Sequence, residues 1–158
     1  MGLFVPMTTI PVIIVRKIED TSRASTTTTT ADPELLSAVE ADSTYEFVFR
    51  LLVQGDTGAS EWKGGPYGPA GYSAVWSFLA RTTAGAGQPN SVYTRVLAAG
   101  DTANTFCDHT NDCWAELKGT LVTDSTPGDF GVTWAQNAST TNATKTLIGS
   151  MLRLEKVA

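Results

Sequence analysis

The chain has 158 residues, 42% of them hydrophobic and only 17% charged, with a formal net charge of −5. A chain of this length buries roughly 70% of the surface its unfolded form exposes, so it can fold as one domain without a metal or a disulfide framework. The acidic balance, with no run of Lys and Arg, argues against a phosphate-binding surface and so against nucleic acid as a partner.

The chain opens with MGLFVPMTTIPVIIVRKI. No basic stretch precedes the apolar run, Pro6 and Pro11 interrupt it, and no small-residue cleavage site follows, so it does not read as a secretory leader. It is also too short and too broken for a membrane-crossing helix, and no membrane partner is expected. The pattern predicts an extended arm over residues 1–22, with a short strand at 12–15, followed by a domain over 23–158. An apolar arm either completes its own sheet or docks on a neighbour. Phe4, Val5, Ile10, Val12, Ile13 and Ile14 are the side chains it would bury.

Residues 21–31, TSRASTTTTTA, are low in complexity, yet β-branched threonine favours extended backbone. Residues 26–30 therefore read as a strand or an extended linker. Next, Asp32 caps a turn whose first helical position is Pro33, with Leu35 and Leu36 packed inward. One helical turn is expected there, and no long helix.

Residues 43–55, STYEFVFRLLVQG, carry the strongest pattern. Tyr45, Phe47, Phe49, Leu51 and Val53 alternate, which places five large apolar groups on one face of one strand. The other face is only half polar and predicts further cover, such as a second subunit. Tyr72, Ala74, Trp76 and Phe78 then alternate, as do Val92, Thr94 and Val96. Residues 114–122 turn Ala115, Leu117 and Leu121 inward; Phe130, Val132 and Trp134 alternate; residues 147–157 close the series. Turn sequences separate these runs at Gly64-Gly65-Pro66, at residues 85–89, at Ala99-Gly100-Asp101 and at Pro127-Gly128-Asp129. Serial strands with turn chemistry between them indicate an antiparallel sandwich or barrel, with less than about one-tenth helix.

Chemistry-bearing residues are sparse. Cys107, His109, Asp112 and Cys113 form the one cluster with metal-like chemistry. Structural zinc usually draws on two ligand pairs from separate segments, and no other His or Cys exists here. Free or half-buried thiols lead, a disulfide between Cys107 and Cys113 worth roughly 2–3 kcal/mol comes next, and metal comes last. Nothing marks a nucleophilic Ser, since Gly149-Ser150-Met151 lacks the second glycine of a nucleophile elbow. Neither a catalytic activity nor a cofactor is expected. Among the four tryptophans, Trp76 and Trp134 lie in strand patterns and read as core or subunit-interface residues. Trp62, in a turn-rich segment beside Tyr67, reads as the exposed aromatic.

Several motifs recur in a recognisable order. Gly119, Leu121 and Thr123 form G-x-L-x-T, Trp134 to Asn137 spell W-A-Q-N, and Gly149, Ser150 and Leu152 form G-S-x-L. Asp32-Pro33-Glu34-Leu35 followed by Thr44-Tyr45-Glu46-Phe47, and Gly65-Pro66-Tyr67-Gly68-Pro69-Ala70-Gly71, belong to the same series. Over residues 23–157 the chain resembles small virion proteins of tailed bacteriophages, with a trimeric jelly roll of the tumour-necrosis-factor and complement type. The resemblance implies an all-β, antiparallel jelly-roll β-sandwich and a homotrimer with the G-S-x-L strand near its axis. It further implies a capsid decoration (cement) protein, a minor capsid protein that is made in the host cytoplasm. Such a protein binds the major capsid protein on the capsid exterior and stabilises the head. The alternative is a tail or fibre tip, or a receptor- or glycan-binding module. In the leading case Phe4, Val5, Ile10, Val12, Ile13, Ile14, Trp134 and Leu152 are the expected capsid or subunit interface. The apolar arm and the Cys107 to Cys113 loop depart from the family pattern.

Overall fold

The computed structural model describes residues 11–55, 61–80, 96–105 and 112–158, which form twelve β-strands and no helix. Sheet 1 runs β1 (Val12–Arg16), β12 (Met151–Lys156), β4 (Thr44–Gln54), β9 (Cys113–Val122), β6 (Ser73–Ala80) and β7 (Val96–Ala98). The short strands β2 (Thr21–Arg23) and β11 (Thr144–Thr146) extend it beside β4. Sheet 2 runs β3 (Thr30–Val39), β10 (Gly128–Gln136), β5 (Trp62–Tyr67) and β8 (Ala103–Thr105). All pairings are antiparallel.

Setting aside β2, β11 and the added β6–β7 pair, the other strands order as β1-β12-β4-β9 against β3-β10-β5-β8. The first strand lies beside the last, and successive strands cross from one sheet to the other except β5 and β8, which pair within sheet 2. That is jelly-roll order, an all-β antiparallel sandwich.

The two inner faces meet in one core. Tyr45, Phe47, Phe49, Leu51 and Val53 are all buried, as the alternation predicts, with Ala115, Leu117 and Leu121 beside them. Phe130 comes from the opposite sheet to within 5.0 Å of the Phe47 ring and 5.7 Å of the Phe49 ring, in tilted contacts that aromatic quadrupoles favour. The sandwich interior takes the whole alternating apolar face of β4, while Val48 and Leu52 on the opposite face stay half-buried. Gly119 sits directly across from Trp76, where a Cβ would lie 2.2 Å from the Val75 carbonyl oxygen. No side chain fits there.

Two local expectations are corrected. Residues 32–35 do not form a helical turn. Asp32 does cap, its Oδ1 accepting from Glu34 N at 3.1 Å and Leu35 N at 3.2 Å. The strand resumes on both sides, however, with Thr133 opposite Ala31 and Gly131 opposite Leu36, so the segment bulges out against Val132 alone. Gly64-Gly65-Pro66 is likewise no turn but the middle of β5. A Cβ on Gly65 would lie 2.2 Å from the Asp101 carbonyl oxygen, so here glycine permits close approach of two backbone segments. Pro66 lies past the end of β8, which pairs only with Trp62, Lys63 and Gly64. The turn expected at Ala99-Gly100-Asp101 is present: Asp101 N donates to the Ala98 carbonyl at 3.2 Å and Gly100 has φ 83°.

Candidate functional site

The motif residues serve the fold. Thr123 Oγ1 accepts from Ser43 N at 2.9 Å and donates to the Glu40 carbonyl at 2.7 Å, pinning a corner. The side chain of Gln136 bridges the chain beyond β10, donating to the Asn142 carbonyl at 2.7 Å. Ser150 Oγ accepts from Leu52 N at 2.9 Å, just after Gly149 turns the chain at φ 90°. Each of these side chains is engaged within the chain itself.

Trp134 and Leu152, expected at an interface, are fully buried inside the protomer and offer no surface to a neighbour. Trp134 is taken inward by its indole, which donates to Asp32 Oδ2 at 3.0 Å. Trp62, expected to be exposed, is also buried; it lies parallel to Phe78 and donates to Thr146 Oγ1 at 3.1 Å. Tyr67 is half-buried, and that burial pushes its phenol above the ordinary range. The proposed pair of exposed aromatics therefore does not form. Phe4, Val5, Ile10, Cys107 and His109 lie outside the described residues, and with them the disulfide and metal readings of that loop. Cys113 opens β9 and is buried.

Val12, Ile13 and Ile14 belong to β1, the edge strand of the chain's own sheet, where Val12 pairs with Glu155 and Ile14 with Arg153. From Val12 onward, the stretch read as an arm is part of sheet 1. Register puts Val12, Ile14 and Arg16 on its outer face, in line with Val48 and Arg50 of β4 and Glu116 and Lys118 of β9. Val12 is 44% exposed, Ile14 54%, Trp114 44% and Val75 60%. Arg50 and Lys118 flank Glu116 at 3.5 and 3.8 Å, and Arg153 pairs with Glu155. A shallow cavity of about 260 Å³ opens between Val48, Arg50, Met151 and Arg153. A broad face of apolar groups around paired charges has the chemistry of a protein-binding surface. Among the described residues, no three His, Cys, Asp or Glu side chains gather to hold a metal ion.

A second cluster lies where the chain leaves β1, against the first half of β3. The side chain of Lys17 is fully buried; its Nζ donates to Thr21 Oγ1 at 2.7 Å, Asp32 Oδ1 at 3.0 Å and Glu34 Oε2 at 2.9 Å. Lys17 thereby holds the Glu34 carboxyl below the usual carboxylate range, with help from Ile18 N and Glu19 N. Arg23 lies 4.0 Å over the Trp134 ring and donates to the Thr30, Ala31 and Trp134 carbonyls. Burial lowers its pKa, and Asp32 opposes that shift. The role of Asp32 as a cap was legible in sequence. Its meeting with Lys17 was not, because the topology, not the spacing, brings the two together.

No family model and no curated protein matches the sequence. Similar solved structures include the tripod (BppUct-A-L) from the baseplate of bacteriophage Tuc2009, 12% identical over 99% of this chain and 73% of that one, with a TM-score of 0.40. The CBM22-1 xylan-binding domain of Paenibacillus barcinonensis Xyn10C is 11% identical over 94% and 97% of the two chains, with a TM-score of 0.39. Eiger TNF from S. frugiperda is 11% identical over 94% of each, with a TM-score of 0.37. At these identities and scores, the assignment to a jelly-roll sandwich comes from the chain's own strand order.

Proposed function

We propose that this chain is a structural virion protein of a tailed phage: a decoration protein that sits on the capsid exterior as a homotrimer, bound to the major capsid protein and stabilising the head. The outer face of sheet 1 carries this reading. The interior is complete within one protomer, yet Val12, Ile14, Val75, Trp114 and Val122 stay exposed on the outer side of that sheet. Apolar groups spread over a sheet face and interspersed with paired charges suit a covered contact. Three copies packed about an axis would cover one another through this face. β1 stands at the sheet edge, where strand addition from a capsid subunit can use its backbone. The resemblance of the G-x-L-x-T, W-A-Q-N and G-S-x-L motifs to those of phage virion proteins supports the context.

Sedimentation at micromolar concentration is expected to give a trimer, each pair of subunits burying more than about 1,000 Å². Added to expanded heads, the protein is expected to bind in many copies per particle and to raise their resistance to heat. A monomer that leaves heads unchanged overturns the reading. A few copies per virion, with binding of the isolated protein to host cells or glycans, moves it to a fibre tip.

A further inference from the structure

The geometry points to a modification site where the chain leaves β1: an intramolecular isopeptide bond between Lys17 Nζ and Asp32 Cγ, formed by the chain itself with Glu34 carrying the protons. This is independent of the role on the capsid. The nucleophile, its target and a proton acceptor already touch. Nζ is 3.0 Å from Oδ1, the oxygen that would leave, and 2.9 Å from Glu34 Oε2. Both the Lys17 and Asp32 side chains are fully buried, which keeps bulk water from the amine and the acyl carbon, while Glu34, 23% exposed, stands between them and solvent. Holding the reactants in place converts a bimolecular condensation into a unimolecular one.

The donors lie where charge would develop. The Trp134 indole N–H, 3.0 Å from Oδ2, supports the oxygen that stays and becomes negative in the tetrahedral adduct. The backbone N–H groups of Glu34 and Leu35 hold Oδ1 at 3.1 and 3.2 Å and fix the carboxyl plane. Thr21 Oγ1, at 2.7 Å from Nζ, orients the amine.

The step balances without any co-reactant. Glu34 takes a proton from the Lys17 ammonium and passes it to Oδ1. The free amine then adds to Cγ. A second proton moves by way of Glu34 from nitrogen to Oδ1, the Cγ–Oδ1 bond breaks, and one water leaves. Nitrogen keeps one proton as the amide N–H, and Glu34 ends ionised, as it began. An ammonium and a carboxylate are replaced by a neutral amide, which removes the desolvation cost of a buried ion pair.

The test is the intact mass of the folded full-length chain, followed by a tryptic digest under denaturing conditions. The expected result is a chain lighter by one water, uncut at Lys17, with segments 17–23 and 24–50 leaving the digest as one branched peptide. Glu34→Gln keeps an oxygen acceptor but no base; it should fold, by circular dichroism, and stay at full mass. Lys17→Arg keeps the charge and should likewise stay at full mass. A folded wild-type chain at full mass, with the two segments separate, overturns the proposal. So does loss of water that maps to any other residue. A Glu34→Gln chain linked as completely as wild type overturns the role of Glu34.

Discussion

Sheet 1 holds a strict two-residue alternation along β4, from Tyr45 to Val53, whereas sheet 2 breaks its own twice, at residues 32–35 of β3 and at Gly64-Gly65-Pro66 of β5. Sheet 1 is specified mainly by side chains: along β4 every second residue is large, apolar and buried. Sheet 2 is specified as much by backbone. It contributes the indoles of Trp62 and Trp134 to the interior and brings Asp32 to Lys17, and a regular pleat cannot do all three. Side-chain period alone therefore identifies one layer of this sandwich, and close approach and capping are needed to explain the other.

The largest expected effect tests the side-chain half of that contrast. Phe49→Ala removes a ring held between Phe47 and Phe130, at centroid distances of 5.8 and 5.7 Å. Urea denaturation should show a loss of about 3–5 kcal/mol. Gly65→Ala tests the backbone half. Its Cβ would meet the Asp101 carbonyl oxygen at 2.2 Å, an obstacle that cannot rotate away, and the loss should approach about 3 kcal/mol. Should Gly65→Ala prove neutral, sheet 2 is not limited by close approach and the contrast fails.

Trp134→Phe sharpens the same point. It keeps an aromatic ring but gives up part of the indole's buried volume and withdraws the N–H from Asp32 Oδ2, and should cost about 2–3 kcal/mol in the same assay. On the outer face, Val75→Thr should change protomer stability by less than about 0.5 kcal/mol while weakening self-association on sedimentation. The smallest effect concerns Lys156, which donates to Glu40 at 2.6 Å and whose pKa is raised mainly by that bond. A raised value means that the contribution is complete below the ordinary lysine value of about 10.4 and is lost as pH climbs through the higher folded value. Glu40→Gln should remove this small alkaline dependence from thermal melts.

The sequence discloses most of sheet 1 because its strands advertise a period: β4, β9 and β6 each alternate, and their inward residues are the buried ones. β10 is equally legible through Phe130, Val132 and Trp134. Gly64-Gly65-Pro66 misleads because the residues that permit a turn also permit two backbones to touch. Trp62 misleads for the same reason, since its glycine-rich surroundings read as a surface loop. Lys17 gives no signal. A lone lysine after an apolar run resembles any strand end, and its carboxylate partners lie on another sheet. Among the described residues of the expected interface, the exposed ones come from β1, whereas Trp134 and Leu152 carry the same apolar signature as the core they belong to.

In sheet 1, β12 lies between β1 and β4, so Val12 stands opposite Glu155 and Phe47 opposite Leu154. A ribosome delivers residue 12 long before residue 154. While it does so, β1 has no neighbour and β4 keeps one edge bare, with its row of aromatic and aliphatic groups poorly covered. The layer can close only after nearly the whole described chain has emerged, and pairing across such a span is slow. Closure of the layer therefore waits on synthesis, and the nascent chain stays adhesive until β12 has emerged. Supplying a chaperone that holds the incomplete chain during expression should raise the soluble yield more than any change to the finished surface.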